Sequence, residues 1–128
     1  MMHSALEHRL DTVVIGGGQA GLAMGYYLKE QDRDFVILDA GNKIGDAWRR
    51  RWVSLRLFSP AALSGVPGMP FPLPGGYFPT KDEMADYLEE YTRNFDLPVR
   101  LNRHVDSLRL SMYAQQQEVL IMKPSRSR

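Results

Sequence analysis

One stretch near the start of the chain, the Asp11–Gly25 segment DTVVIGGGQAGLAMG, constrains the fold more than any other. It opens with an unbroken β-branched run, Thr12–Gly16, which is typical of a parallel strand covered on both faces. Between residues 19 and 31, apolar positions recur at spacings of three and four, which predicts a helix. A second apolar run, Phe35–Asp39, predicts another strand. Strand, helix and strand joined by short links form a βαβ unit, so we expect an α/β fold.

The glycines between the first strand and the helix satisfy the pattern G-x-G-x-x-G. The first glycine makes a tight turn, the second lets a pyrophosphate approach the backbone, and the third lets helix and strand pack closely. The start of the helix adds free N–H groups and a partial positive charge. The pattern alone is weak evidence because glycine is common, but it lies between a strand and a helix, as the mechanism requires. The candidate phosphate-binding residues are Gly16, Gly17, Gly18, Gln19, Ala20 and Gly21.

An acidic residue, Asp39, ends the second strand, roughly 20 residues past the glycines. A dinucleotide-binding domain has a carboxylate at this position, where it accepts hydrogen bonds from ribose hydroxyls. A negative charge there disfavours a 2′-phosphate, so we do not expect NADP at this site. FAD and NAD share the ADP half, and the motif does not distinguish them. The alternative is a glycine turn without a ligand and a solvated Asp39.

The rest of the chain is less regular. Residues 60–79 hold six of the eight prolines, which predicts an ordered but irregular excursion that is neither a helix nor a central strand. The sequence TKDE at Thr80–Glu83 is a capping box, and it predicts a helix over about 81–95. Three further short strands are predicted at Val99–Asn102, Asp106–Leu110 and Glu118–Met122. Residues 123–128 are polar, and we expect them to fray.

The composition excludes several classes of function. With 44% hydrophobic and 24% charged residues, the chain is an ordinary globular one, and its net charge of +1 gives no reason to expect nucleic acid or an anionic membrane as a partner. No apolar run approaches the roughly 20 residues that span a bilayer. The first ten residues lack the apolar core of a signal peptide, so we expect a cytoplasmic protein. The absence of cysteine excludes disulfides, thiolate metal sites and a thiol redox relay in this chain.

The segment after the second strand, Gly41–Pro60 (GNKIGDAWRRRWVSLRLFSP), resembles the N-terminal FAD-binding portion of flavin-dependent monooxygenases. This group includes flavin-containing monooxygenases, Baeyer–Villiger enzymes and the plant auxin-forming monooxygenases. Other matching pieces are VVIGGGQAGLAMGYYL, FVILDAGNKIGDAWR and GYFPTKDEMADYLEEYTRNFDLPVRL, and together they cover nearly all of residues 12–101 in order. The resemblance implies a Rossmann-like domain that holds the FAD pyrophosphate on Gly16–Gly21 and the adenosine ribose on Asp39.

The resemblance also implies contacts with the flavin. The Gly-Gly-x-Trp segment of the family reads GDAW here, and Asp46 in place of the second glycine puts a close backbone approach at this residue in question. The residues implied to contact FAD or to lie near its isoalloxazine are Ala47, Trp48, Leu57 and Phe58. Without the resemblance, Trp48 would be a core residue and Arg49–Arg51 a solvated basic face. The histidines have no partners at the spacing of a metal site or a catalytic triad, so we predict no metal and no catalytic residue.

The complete enzymes of the resembled family hold NADPH on a second glycine-rich domain, and this sequence contains no second G-x-G-x-x-G. We therefore expect residues 1–128 to form a single, incomplete FAD-binding domain that binds FAD weakly and does not turn over NADPH. A parallel sheet without its later strands has an exposed edge, through which the chain could associate with itself or with a partner chain. Two alternatives stay open: a non-enzymatic ADP-binding module or one half of a split enzyme, and an NAD(H)-binding oxidoreductase of another class.

Overall fold

The computed structural model describes residues 10–112 and 118–124 of the chain. The elements in these ranges, in chain order, are β1 (Thr12–Ile15), α1 (Gln19–Glu30), β2 (Phe35–Leu38), α2 (Asp46–Arg49), α3 (Ala61–Ser64), α4 (Lys81–Asn94), β3 (Val99–Arg100), β4 (Val105–Met112) and β5 (Glu118–Pro124). The first strand, helix and second strand form the βαβ unit that the sequence predicts.

The first three strands form a parallel sheet with β2 in the centre. Strand β1 pairs with β2 from Thr12 opposite Phe35, and β3 pairs with the other side of β2, with Val99 opposite Ile37. Strands β4 and β5 form a separate antiparallel pair. This arrangement of a parallel sheet and helices confirms the predicted Rossmann-like α/β fold.

Helix α1 lies very close to the sheet because a glycine faces it. A β-carbon added at Gly25 would lie 2.8 Å from Cδ1 of Ile37, so a larger residue would require this buried side chain or the helix to shift. Leu22 and Ile37 are both fully buried at this contact. On the far side of the core, α4 contributes the buried side chains Met84 and Leu88. The glycine turn is therefore held between a rigid strand and a tightly packed helix.

The proline-rich excursion, residues 60–79, is ordered by hydrogen bonds from two tyrosines of α4. The Tyr87 hydroxyl donates to the carbonyl of Met69 at 2.6 Å, and the Tyr91 hydroxyl donates to the carbonyl of Pro67 at 2.5 Å. Burial raises the pKa of both hydroxyls, so they stay protonated donors. The prediction that the excursion holds no helix is wrong for the one turn of α3, which follows the extended N-cap residue Pro60 and in which the Ser64 hydroxyl donates to the Pro60 carbonyl at 2.8 Å.

The predicted capping box is confirmed at the start of α4. The Thr80 hydroxyl accepts from the Glu83 N–H at 3.1 Å, and the Glu83 carboxylate accepts from the Thr80 N–H at 2.9 Å. Strands β3, β4 and β5 lie where short strands are predicted, and β5 continues to Pro124. The end of the segment expected to fray, 125–128, lies outside the described residues. Among the helices described, none is both long and apolar enough to cross a membrane.

Candidate functional site

Two glycines shape the turn between β1 and α1. Gly16 has a φ of +103°, a left-handed backbone that residues with side chains rarely adopt, and its N–H donates to the Leu38 carbonyl at 2.7 Å. At Gly21, a β-carbon would overlap the carbonyl oxygen of Gly16 and lie 3.3 Å from Cγ1 of Val14. These glycines therefore meet the two backbone requirements of the motif, a tight turn and a close approach of helix to strand.

The glycine at the start of α1, Gly18, faces open space. It is the N-cap residue, its backbone is extended, no side chain caps the helix, and the first turn holds no acidic residue. A β-carbon added at Gly18 would meet no atom within 4 Å. Because the first N–H groups of a helix have no partner inside the helix, this helix start is an available site for an anion.

The carboxylate of Asp39 is fixed at the end of β2 by two backbone N–H groups. Its Oδ1 accepts from the Gly17 N–H at 2.8 Å, and its Oδ2 accepts from the Gly41 N–H at 3.1 Å. A β-carbon at Gly17 would lie 3.3 Å from Oδ1 and 3.0 Å from Cδ1 of Ile44, so a larger residue would require these side chains to shift. Each carboxylate oxygen keeps a second lone pair, which can accept a hydrogen bond from a hydroxyl.

Two cavities meet at this turn. The smaller, about 190 Å³, is lined by Gly17, Gly18, Gln19, Asp39, Ala47 and Trp48, among others. The larger, about 610 Å³, shares Gln19 and Trp48 with it and extends past Ala20, Leu57 and Phe58. The structure thus brings nine of the eleven predicted site residues to the walls of two cavities that share lining residues. The other two, Gly16 and Gly21, form the turn and line neither cavity.

The two residues predicted to lie near the isoalloxazine differ in exposure. Leu57 is partly buried against the hydrophobic core, whereas the side chain of Phe58 is 98% exposed. Trp48, which the residues alone favour as a core side chain, packs against the core and also lines both cavities. The larger cavity is therefore apolar on its inner wall and open to solvent on the side of Phe58.

The structure explains why aspartate is tolerated at residue 46. Its Oδ2 accepts from the Lys43 N–H at 3.2 Å, and its Oδ1 is 3.3 Å from Nη1 of Arg49. Asp46 lines the smaller cavity, but its charge is already paired with Arg49. The preceding Gly45, with a φ of +92°, is the residue that packs closely, since a β-carbon there would lie 2.8 Å from Cα of Ala85. Gly45 therefore packs against α4, and Asp46 brings a paired carboxylate to the wall of the smaller cavity.

Sequence reasoning missed two charged residues of the site, Arg51 and Arg56, of which Arg56 lines the larger cavity alone. It treats Arg49–Arg51 as a single solvated face, yet Arg51 lines both cavities while Arg50 lines neither. The signal available in the sequence was the spacing of three residues between Trp48 and Arg51, which places both on one side of a helical turn. In the structure, the Arg51 N–H donates to the Trp48 carbonyl at 3.0 Å. Across the described ranges, there is no cluster of three or more metal-ligating side chains.

Comparison with known proteins gives this geometry a family context. The family described as pyridine nucleotide-disulphide oxidoreductase matches residues 13–119. An uncharacterized CzcO-like oxidoreductase of Geobacillus kaustophilus is 52% identical over 103 residues, which are 80% of this chain and 30% of that protein. The probable indole-3-pyruvate monooxygenase YUCCA7 of Arabidopsis thaliana is 38% identical over 96 residues, which are 74% of this chain and 22% of that protein.

Solved structures agree with these relatives. A flavin-containing monooxygenase from Stenotrophomonas maltophilia superposes with a TM-score of 0.75 and 38% identity, over 87% of this chain and 36% of that one. The chain therefore spans between about a fifth and about a third of the length of these proteins. It contains no cysteine, so the disulphide chemistry in the family's description has no residues to act through in this sequence.

Proposed function

The chain belongs to the pyridine nucleotide-disulphide oxidoreductase family, and from this premise we propose that it is the FAD-binding portion of a flavin-dependent monooxygenase that uses NAD(P)H. One observation carries the proposal: the uncapped start of α1 at Gly18 and the fixed carboxylate of Asp39 line the same cavity. Free N–H groups suit a diphosphate, and a carboxylate acceptor suits a ribose. The similarity to monooxygenases, rather than to disulphide reductases alone, supports flavin as the ligand.

The donor set fits FAD residue by residue. Gly18 and Gln19 would hold the diphosphate, because the space above Gly18 is open, while the Gly17 N–H holds the Asp39 carboxylate. Asp39 would accept from the ribose. The larger cavity, with Trp48 and Leu57 on its wall, is the space left for the flavin half, and the apolar wall would exclude water from one side of the ring.

When bound, FAD would supply the electron transfer between a reduced nicotinamide and dioxygen. The residues of this chain bind and orient it: the glycine turn fixes the linker, and the two N–H bonds on Asp39 fix the ribose acceptor. Among the described side chains, we assign none to proton transfer or to attack on a substrate. The substrate and the NADPH site are proposed to lie in regions that the longer relatives have.

A partner chain is part of the proposal. Strand β1 is built of β-branched residues only, yet Ile15 is 52% exposed, and within the described residues β1 pairs with β2 alone. A strand of this composition usually lies inside a parallel sheet. We propose that the other edge of β1 pairs with a further strand from a partner or from a second copy. Comparing the chain's oligomeric state with that of an Ile15→Lys variant tests this pairing. We also propose that the chain functions in the cytoplasm.

The central experiment is a thermal unfolding series of the 128-residue chain with added nucleotides. We expect the midpoint to rise with FAD concentration, to rise less with NADH, and not to rise with FMN, which has no adenosine for Asp39 to bind. A larger rise with NADH than with FAD would contradict the flavin proposal and favour an NAD(H)-binding oxidoreductase. Equal responses to ADP and FAD would favour a non-enzymatic ADP-binding module. Oxidation of NADPH by the FAD-loaded chain would contradict our expectation that it is inactive alone.

A further inference from the structure

The three consecutive arginines after Trp48 lie in three different environments. Arg49 is enclosed by carboxylates: its Nη2 is 2.5 Å from Oε1 of Glu89 and 3.3 Å from Oδ1 of Asp86, and its Nη1 contacts Asp46. Arg50 and Arg51 are both exposed, but Arg50 lines neither cavity. Arg51 lines both cavities. A uniform basic face would not distribute its members in this way.

Arg51 keeps its charge available. Its Nε donates to the carbonyl of Ala47 at 3.3 Å, a bond that anchors the side chain without neutralising it. The ion pairs found in the described part of the chain do not include Arg51. Arg49, in contrast, is bound to three carboxylates and has no charge to offer a ligand.

The negative charge of a diphosphate in the smaller cavity needs a cationic side chain to balance it. Its ionised wall residues are Asp39, Asp46 and Arg51, and Asp46 is paired with Arg49. A diphosphate adds about two negative charges, whereas a helix start contributes only roughly half a positive charge. Arg51 is the cationic side chain on this wall, and a guanidinium can donate two parallel hydrogen bonds to a phosphate.

The position of Arg51 at the junction of the cavities identifies the part of the ligand it would meet. Besides Arg51, the residues on both walls are Gln19, at the first turn of α1, and Trp48. A dinucleotide with its adenosine at Asp39 and its other half in the larger cavity must place its diphosphate at this junction. We propose that Arg51 binds the diphosphate of the dinucleotide, opposite the N–H groups of α1, and so sets the affinity; this deepens the proposed FAD function and rests on it.

The test compares Arg51→Gln with the matched variant Arg50→Gln in calorimetric titrations with FAD, ADP and adenosine. We expect Arg51→Gln to weaken FAD and ADP binding by roughly 10-fold to 100-fold, because a charge-assisted contact is lost. Adenosine, which has no diphosphate, should bind Arg51→Gln and the unchanged chain equally. Arg50→Gln should bind all three ligands as the unchanged chain does, and Arg51→Lys should recover part of the lost affinity.

The outcomes separate this inference from the proposed function. If FAD binds equally with and without Arg51, the proposed function survives and the diphosphate role is overturned. If Arg51→Gln weakens adenosine as much as ADP, the residue is merely structural and the inference is again overturned. If the chain binds ADP in an Arg51-dependent way but does not bind FAD, the inference stands and the flavin proposal fails. A chain that binds none of the three ligands overturns both.

Discussion

Helices α1 and α4 begin in opposite ways. At α4, Thr80 and Glu83 form a reciprocal pair of hydrogen bonds that satisfies two backbone N–H groups. At α1, Gly18 provides no side chain, and nothing acidic lies in the first turn. A glycine N-cap in place of a capping side chain costs a helix only roughly a few tenths of a kcal/mol. The start of α1, where the N–H groups face a cavity, is therefore less stable than the start of α4. The capped start of α4 stabilises the fold.

The contrast extends to the residues behind each start. At Gly21, α1 comes so close to the Gly16 carbonyl that no side chain fits, and Gly16 itself has a left-handed backbone, whereas α4 buries large side chains such as Met84 and Tyr91. At α1 the small residues create both close packing and an open surface. Substitutions on the side of the α1 start that packs against β1 should therefore destabilise the fold. Substitutions on the side that faces the cavity should weaken binding alone.

The largest expected effect comes from Gly21→Val. Its β-carbon would overlap the Gly16 carbonyl oxygen, and its methyl groups would press on Val14. Overpacking of this kind costs about 3 kcal/mol or more when backbone must move, so we expect the free energy of unfolding to fall by that amount and FAD binding to be lost with it. Urea denaturation of the variant measures the first effect and an FAD titration the second.

The control for this variant is Glu30→Val, which places the same residue at the exposed end of α1. It removes only the contact between Glu30 and the Tyr26 hydroxyl, and it should change the free energy of unfolding by less than about 1 kcal/mol. Equal losses for the two variants would show that valine in the helix, and not the approach to Gly16, is responsible.

The next effect separates binding from stability. In Gly18→Ser, the backbone is already extended, with a φ of −84°, and no atom obstructs the new side chain. The hydroxyl can cap α1 as Thr80 caps α4, so we expect unchanged or slightly higher stability. The same hydroxyl fills the space above the turn, and FAD affinity should fall about 10-fold or more. Unchanged FAD affinity in a folded variant would contradict the assignment of this space to the diphosphate.

Much of this contrast could be predicted from the sequence. The pattern G-x-G-x-x-G after a β-branched run and TKDE before an amphipathic run each predict a helix start, because both act through local backbone geometry. Asp39 could be predicted from its place after the second strand. These features depend on residues that are near one another in the chain.

Features that depend on distant packing could not be predicted. The division of the arginines follows from carboxylates on α4, such as Glu89, which reach Arg49 and leave Arg51 at the cavities. The one-turn helix α3 lies in a segment rich in proline, where composition argues against any helix. The tolerance of aspartate at residue 46 likewise depends on Arg49, whose own position is set by α4.

A smaller effect is expected from Thr80→Ala at the capped helix. The variant loses the hydrogen bond from the Glu83 N–H to the hydroxyl, so the free energy of unfolding should fall by about 1 kcal/mol. FAD affinity should not change, because Thr80 lines neither cavity. Chemical denaturation and an FAD titration of the same sample test both parts. A loss of FAD affinity in a variant that remains folded would show that the two helix starts are coupled.

The smallest effect is a pH dependence that belongs to the capped start alone. The backbone hydrogen bond from Thr80 and the hydroxyl of Tyr77 lower the pKa of Glu83 from its usual 4.5, although partial burial opposes them. Since the pKa is lower in the folded state, the ionised carboxylate stabilises the fold above about pH 4.5, and this contribution is lost as the pH falls through the folded pKa. Glu83→Gln can keep the capping hydrogen bond but has no charge to lose. Denaturation curves at several pH values should therefore show that the unchanged chain loses its higher free energy of unfolding, relative to Glu83→Gln, on acidification. A difference in free energy that stays constant with pH would mean that the cap works through its hydrogen bonds and not through its charge.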